Sequence, residues 1–133
     1  DAVKQAIGDA PWEPFVNPGH LTSYDEWLVS FSLPWNKTPV RSGMAMQCDI
    51  IPTPLPPGRA LNCEDSLAIG DDWLRAKLAS QFPSAWHRIE SRRAFMTTRL
   101  GIEPKPEVLP LSVAPAYLPP CWLSPDLVCV VAG

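Results

Sequence analysis

Two stretches of the chain alternate in polarity. Over residues 43–51, Met44, Met46, Cys48 and Ile50 fall on one side at period two, and Ala45, Gln47, Asp49 and Ile51 fall on the other. Successive side chains of a strand do this. Over residues 59–69, Leu61, Cys63, Asp65, Leu67 and Ile69 oppose Ala60, Asn62, Glu64, Ser66 and Ala68. The intervening residues 52–58 hold four prolines and Gly58. The pattern predicts two antiparallel strands joined by a Pro/Gly loop.

Beyond residue 70 the period lengthens. Asp71 or Asp72 caps an expected helix over residues 73–81, with Trp73, Leu74 and Leu78 as its apolar stripe. Pro83 opens a longer one over residues 84–100. Ala85, Ile89, Met96 and Leu100 recur there at helical spacing, Trp86 and Phe95 flank them, and Gly101 is the expected C-terminal stop. Residues 1–8 read as the end of a helix closed by Gly8. Residues 9–40 are broken by Pro11, Trp12, Pro14, Pro18, Pro34, Trp35 and Pro39, and predict irregular backbone with a short extended piece near residues 27–31. The Pro-rich tail holds two short apolar pieces, 108–111 and 127–131, either of which suits an edge strand. The expected fold class is α+β.

Composition narrows the picture. The 17 prolines argue against a simple helix bundle, because proline inside a helix removes a hydrogen bond and clashes with the preceding turn. At 46% hydrophobic and 19% charged residues the chain is not wholly disordered. A net charge of -3 without clustered basic residues argues against a nucleic-acid partner or an anionic membrane surface. No apolar run is long enough to span a bilayer, and no basic flank and apolar stretch open the chain, so the expected setting is cytoplasmic. The sequence starts Asp1-Ala2-Val3-Lys4 without a Met, which reads as a processed chain or a fragment. Cys48, Cys63, Cys121 and Cys129 show no Cys-x-x-Cys spacing. Buried free thiols are expected, with disulfides as the alternative.

The candidate chemistry lies in the strands. Asp49 and Glu64 are carboxylates in half-apolar strands, where an unpartnered charge is costly. If the strands pair, the two acids lie near each other, and like charges repel unless a proton or a cation lies between them. A divalent metal takes oxygen ligands in such a place. His20, after the turn Asn17-Pro18-Gly19, is the third candidate ligand. The plain alternative is two solvated strand acids and a turn or core histidine. His87, beside Arg88 on the long helix, reads as surface. No Gly-x-Ser-x-Gly elbow or phosphate-cradling glycine loop occurs. A nucleophile pair of Cys48 or Cys63 with His20 is a poor prospect, because apolar strand cysteines are usually inert.

Gly19-His20, then Gly43-Met44-Ala45-Met46-Gln47-Cys48-Asp49 with Pro52, then Asn62-Cys63-Glu64-Asp65 stand in this order. The series resembles the pita-bread metallopeptidases: methionine aminopeptidase, aminopeptidase P, prolidase and the non-metal relative creatinase. The likeness covers about residues 15–70. It implies that residues 1–70 are the C-terminal part of a pita-bread catalytic-like domain and that 71–133 are a helical, Pro-rich extension. It implies His20, Asp49 and Glu64 as ligands of a two-metal site holding Mn, Co, Zn or Fe. Asp49 also stands at the position of the general base. The implied reaction is hydrolysis of an Xaa-Pro peptide or related small amide by a metal-activated water, and a homodimer is a further implication. Several positions depart from the family's pattern. Only Asp1 and Asp9 precede His20, where the family has two further Asp ligands upstream. Asp49 stands where the family has Glu, and Val16 where it has a His, and a further substrate-facing His is replaced near Trp27. These departures favour the alternative, a non-catalytic binding or assembly protein on the same fold with a degenerate metal site.

Overall fold

A computed structural model describes residues 8–11, 13–14, 18–22, 30, 33, 35–58, 61–117, 124 and 126–131. The expected helix end at 1–7, the extended piece near 27–31 apart from Ser30, Val16, Trp27 and Cys121 lie outside the described residues. The chain is mixed α and β. In order it forms β1 (Glu13–Pro14), β2 (Gly19–Leu21), β3 (Ala45–Ile50), β4 (Pro52–Thr53), β5 (Cys63–Ile69), α1 (Asp72–Gln81), α2 (Pro83–Phe95), a π-helical turn (Met96–Leu100), β6 (Val108–Pro110) and a short 3-10 turn (Ala114–Tyr117).

The main sheet has four antiparallel strands in the order β2-β3-β5-β6, and β1 pairs with β4 in a separate ribbon. The two alternating stretches of sequence become β3 and β5 and pair with each other. Between them the Pro-rich loop carries the short strand β4. Of the two tail pieces, 108–110 forms the edge strand beside β5, while 127–131 adopts no regular structure. Strands from both sides of position 70 therefore build one sheet.

Asp71 caps α1: its carboxylate accepts the amide hydrogen of Leu74 at 2.9 Å, satisfying one of the open donors of the first turn. Pro83 opens α2 at a position where its missing N–H is not needed. The expected continuous helix to residue 100 instead widens into the π turn over its last five residues. Gly101 then turns out of it with φ 74°, a left-handed conformation that favours glycine. The apolar stripe expected on α1 is not buried as a unit, since Trp73 is 67% exposed. It lies instead beneath the Lys77 ammonium, 4.7 Å from the ring centroid. A residue at the start of a short surface helix can face outward whatever its hydropathy.

Two contacts tie helix to sheet. The guanidinium of Arg93 donates to the carbonyls of Pro104 (3.2 Å), Lys105 (3.0 Å) and Val108 (2.5 Å), fastening α2 to the entry of β6. Leu109 of β6 is the most buried large side chain among the described residues, at 1% exposure. It lies against Gly70, where a Cβ would come within 2.7 Å of its Cδ1. Ile89 and Leu100 are also buried. Leu109→Ala is expected to lower stability by about 2–5 kcal/mol, the range for emptying a filled core site. The drop would be read from urea unfolding, and a negligible change would show that the sheet is held elsewhere.

Candidate functional site

The register decides which side chains meet. Asp49 stands directly opposite Glu64, and Gln47 opposite Ser66, across β3 and β5. His20 stands opposite Gln47 across β2 and β3. Directly paired residues of an antiparallel sheet share a face. His20, Gln47, Asp49 and Glu64 therefore project from one face. Met46, Cys48, Cys63, Asp65 and Leu67 take the other.

His20 is held close to β3 because residue 19 is glycine. A Cβ there would lie 2.6 Å from the backbone oxygen of Gln47, and backbone cannot yield as a side-chain tip can. The hydroxyl of Ser30 donates to the Gly19 carbonyl at 2.7 Å and fastens β2 from its outer side. His20 and Asp49 are both buried, at 5% and 8% exposure, with His20 Nε2 3.9 Å from Asp49 Oδ2. His20 Nδ1 lies 3.2 Å from the carbonyl oxygen of Leu21, so the hydrogen belongs on Nδ1. Nε2 faces the Asp49 carboxylate at a separation beyond hydrogen-bond reach.

Asp49 Oδ1 is buried with no hydrogen-bond partner among the described residues. Burial, and then the Glu64 charge opposite, push its carboxyl above the usual carboxylate range, with His20 pulling the other way. Glu64 is better provided. Its two oxygens accept from the side-chain amides of Gln47 and Asn62. The sequence reading did not single out these two amides. Their signal was a polar residue two positions before each acid, Gln47-x-Asp49 and Asn62-x-Glu64, which strand periodicity places on the acid's own face.

The fit to a divalent cation is partial. The orphaned Asp49 oxygen and His20 Nε2 are the atoms such an ion would engage. Among the described residues, however, no group of three or more His, Cys, Asp or Glu side chains is disposed to hold a metal ion. His20 and Asp49 converge, and Glu64 is adjacent but engaged by amides. His87 is exposed on α2, well along the chain from this sheet face.

The cysteines depart from the expected burial. Cys48 and Cys63 are free thiols, but Cys48 is exposed and Cys63 only half-buried, and Cys129 is exposed. Cys48 and Cys63 lie on the two central strands of the sheet and Cys129 in the irregular tail, and apolar neighbours in sequence do not ensure cover there. Cys48 and Cys63 lie on the opposite sheet face from His20, so no Cys–His nucleophile pair forms. Burial, followed by the neighbouring Cys48 and the Asp65 and Asp49 carboxylates, pushes the Cys63 thiol up, away from the reactive thiolate.

Comparison with protein-family models, with curated proteins and with solved structures finds no match. Among the described residues no helix is long and apolar enough to cross a membrane.

Two outcomes are expected from this geometry. Gly19→Ala should lower stability by about 1–3 kcal/mol, the usual cost of overpacking, and should displace His20 from Asp49. Urea unfolding and the His20 ring signals in NMR would show both, and an unchanged ring environment would contradict the close strand approach. Asp49 has a folded-state pKa above its unfolded value, so its ionisation opposes folding, and its contribution to stability falls as pH rises through that interval. Asp49→Asn should therefore raise stability at neutral pH, by about 1 kcal/mol. A loss instead would reveal a partner for the carboxylate.

Proposed function

We propose that the chain carries part of the catalytic face of a pita-bread metallopeptidase-like hydrolase, of the Xaa-Pro aminopeptidase or dipeptidase type. One observation supports this most: the buried His20–Asp49 pair, with an Asp49 oxygen lacking any donor among the described residues, directly opposite Glu64. Three residues from separate segments, His20, Asp49 and Glu64, lie on one sheet face. The antiparallel strands then belong to a pita-bread fold, and the helices with the Pro-rich tail are its C-terminal extension.

His20, Asp49 and Glu64 would hold divalent metal: Mn, Co, Zn or Fe. When bound, such an ion lowers the pKa of a water and polarises an amide carbonyl. The chain's own residues do the rest. The Leu21 carbonyl keeps the His20 hydrogen on Nδ1 and leaves Nε2 as a donor atom. Asp49 Oδ1, with no hydrogen-bond partner among the described residues, would receive a proton as general base. Burial of both groups strengthens these interactions by keeping water away. The substrate is a peptide or small amide, the setting cytoplasmic, and pairing of two copies belongs to the same reading.

A second reading is favoured by a different observation. Both Glu64 oxygens are engaged by amides, and no complete ligand group stands among the described residues. That suits a non-catalytic binding or assembly protein on the same fold. The discriminating experiment measures Mn2+ binding by calorimetry and hydrolysis of an Xaa-Pro dipeptide by the intact protein. The peptidase reading expects binding, turnover, and a rate about 10²–10⁴-fold lower in Asp49→Asn, the usual contribution of a positioned base. A folded protein that neither binds Mn2+ nor cleaves the dipeptide leaves only the binding reading.

A further inference from the structure

On the sheet face opposite His20, a cavity of about 230 Å³ lies between β5, the π turn, the 3-10 turn and the tail. Met96, Leu100, Val113, Ala116, Val130 and Val131 give it an apolar lining. Asp65 is the one charged residue among the described residues that line it. The walls are built from fixed parts. Leu100 and Ala116 are buried, and the tail is tied to both. The Cys129 amide donates to the Ala116 carbonyl and the Val131 amide to the Leu100 carbonyl, each at 2.8 Å. The rim is open, since Val130 and Val131 line the cavity and are still 59% and 58% exposed. A dry apolar cavity of about 150 Å³ takes up benzene, so this one has room for about nine non-hydrogen atoms.

The Asp65 carboxylate is held at this wall. Ser112 Oγ accepts the Ser66 amide at 3.0 Å and donates its own hydrogen to Asp65 Oδ1. The backbone of Ser66 and Ala114 also hydrogen-bonds to the carboxylate. These three donors use fewer than the roughly four lone-pair sites of a carboxylate, so it can accept another. It can only accept, and a charged donor binds it about twice as strongly as a neutral one. Arg92 of α2 is the nearby cation, but it does not line the cavity and forms no ion pair with Asp65 among the described residues. A cation in direct contact outweighs one farther off, because attraction falls with distance. We propose that this cavity is a binding site for a small aryl or alkyl ammonium compound, its apolar body among Leu100, Val113, Ala116 and the tail valines and its ammonium on Asp65. The site lies on the other sheet face from His20, Asp49 and Glu64 and does not depend on the peptidase reading.

The test titrates the intact protein, followed by methyl NMR, with three probes of one shape: 2-phenylethylamine, the neutral 2-phenylethanol and the anionic phenylacetate. The amine should bind with a Kd of about 0.1–1 mM, a fair affinity for nine non-hydrogen atoms. The alcohol should bind about 10-fold more weakly, and phenylacetate more weakly still. Nuclear Overhauser contacts should join the amine's ring protons to the methyls of Leu100, Val113 and Val130. Asp65→Asn keeps the side-chain shape and an oxygen for Ser112. It should weaken the amine about 10-fold and leave the alcohol nearly unchanged. Ala116→Met, which fills the cavity, should remove binding of both. Absence of those ring–methyl contacts in wild type at about 10 mM amine would overturn the inference, even if the variants fail to fold. Phenylacetate binding as tightly as the amine, or an amine affinity unchanged in Asp65→Asn, would overturn it as well.

Discussion

Asp49 and Glu64 are forced to face each other by the pairing of β3 with β5. Like charges in directly opposed sheet positions destabilise the pair, and everything else on this face responds to that. The response is unequal. Glu64 receives two amide donors, and Asp49 receives burial and a histidine at 3.9 Å. One acid has both oxygens hydrogen-bonded, and the other is left with an oxygen that has no partner among the described residues. An asymmetric acid pair of this kind is where a proton or a cation has most to gain.

Such a face needs stabilisation from the rest of the molecule. The far end of the sheet supplies it. Leu109 fills the space beside Gly70, Arg93 draws the entry of β6 onto α2, and the amide of Val131 donates to the Leu100 carbonyl at 2.8 Å, tying the tail to the π turn. On the opposite sheet face Asp65 accepts from the Ser112 hydroxyl, while Met96, Leu100, Val113 and Ala116 help line a cavity of about 230 Å³ beside it. The alternation of β3 and β5 keeps these two environments separate. A slip of β5 by one residue would exchange Glu64 for Asp65 and bring Cys63 to the His20 side.

Much of this was legible along the chain. Period two over β3 and β5 assigns each residue to its face, and the short loop between them makes the pairing local. Asp71, Pro83 and Gly101 mark helix ends through backbone chemistry that acts within a few residues. Burial was less legible. Trp73, Cys48 and Cys129 have apolar identities or neighbours and yet are exposed, because burial depends on what packs above a position and not on the position's own hydropathy.

The sequence by itself determined the strands, their faces and the polar-x-acid pattern that puts Gln47 with Asp49 and Asn62 with Glu64. These follow from the fixed geometry of extended backbone. Only the tertiary structure decided that β2 joins the sheet beside β3 in the register that sets His20 next to Gln47 and within 3.9 Å of Asp49. That pairing brings together strands separated by more than twenty residues of sequence. No local propensity specifies it, and it depends on a close backbone approach at Gly19 that exists only once both strands are in place.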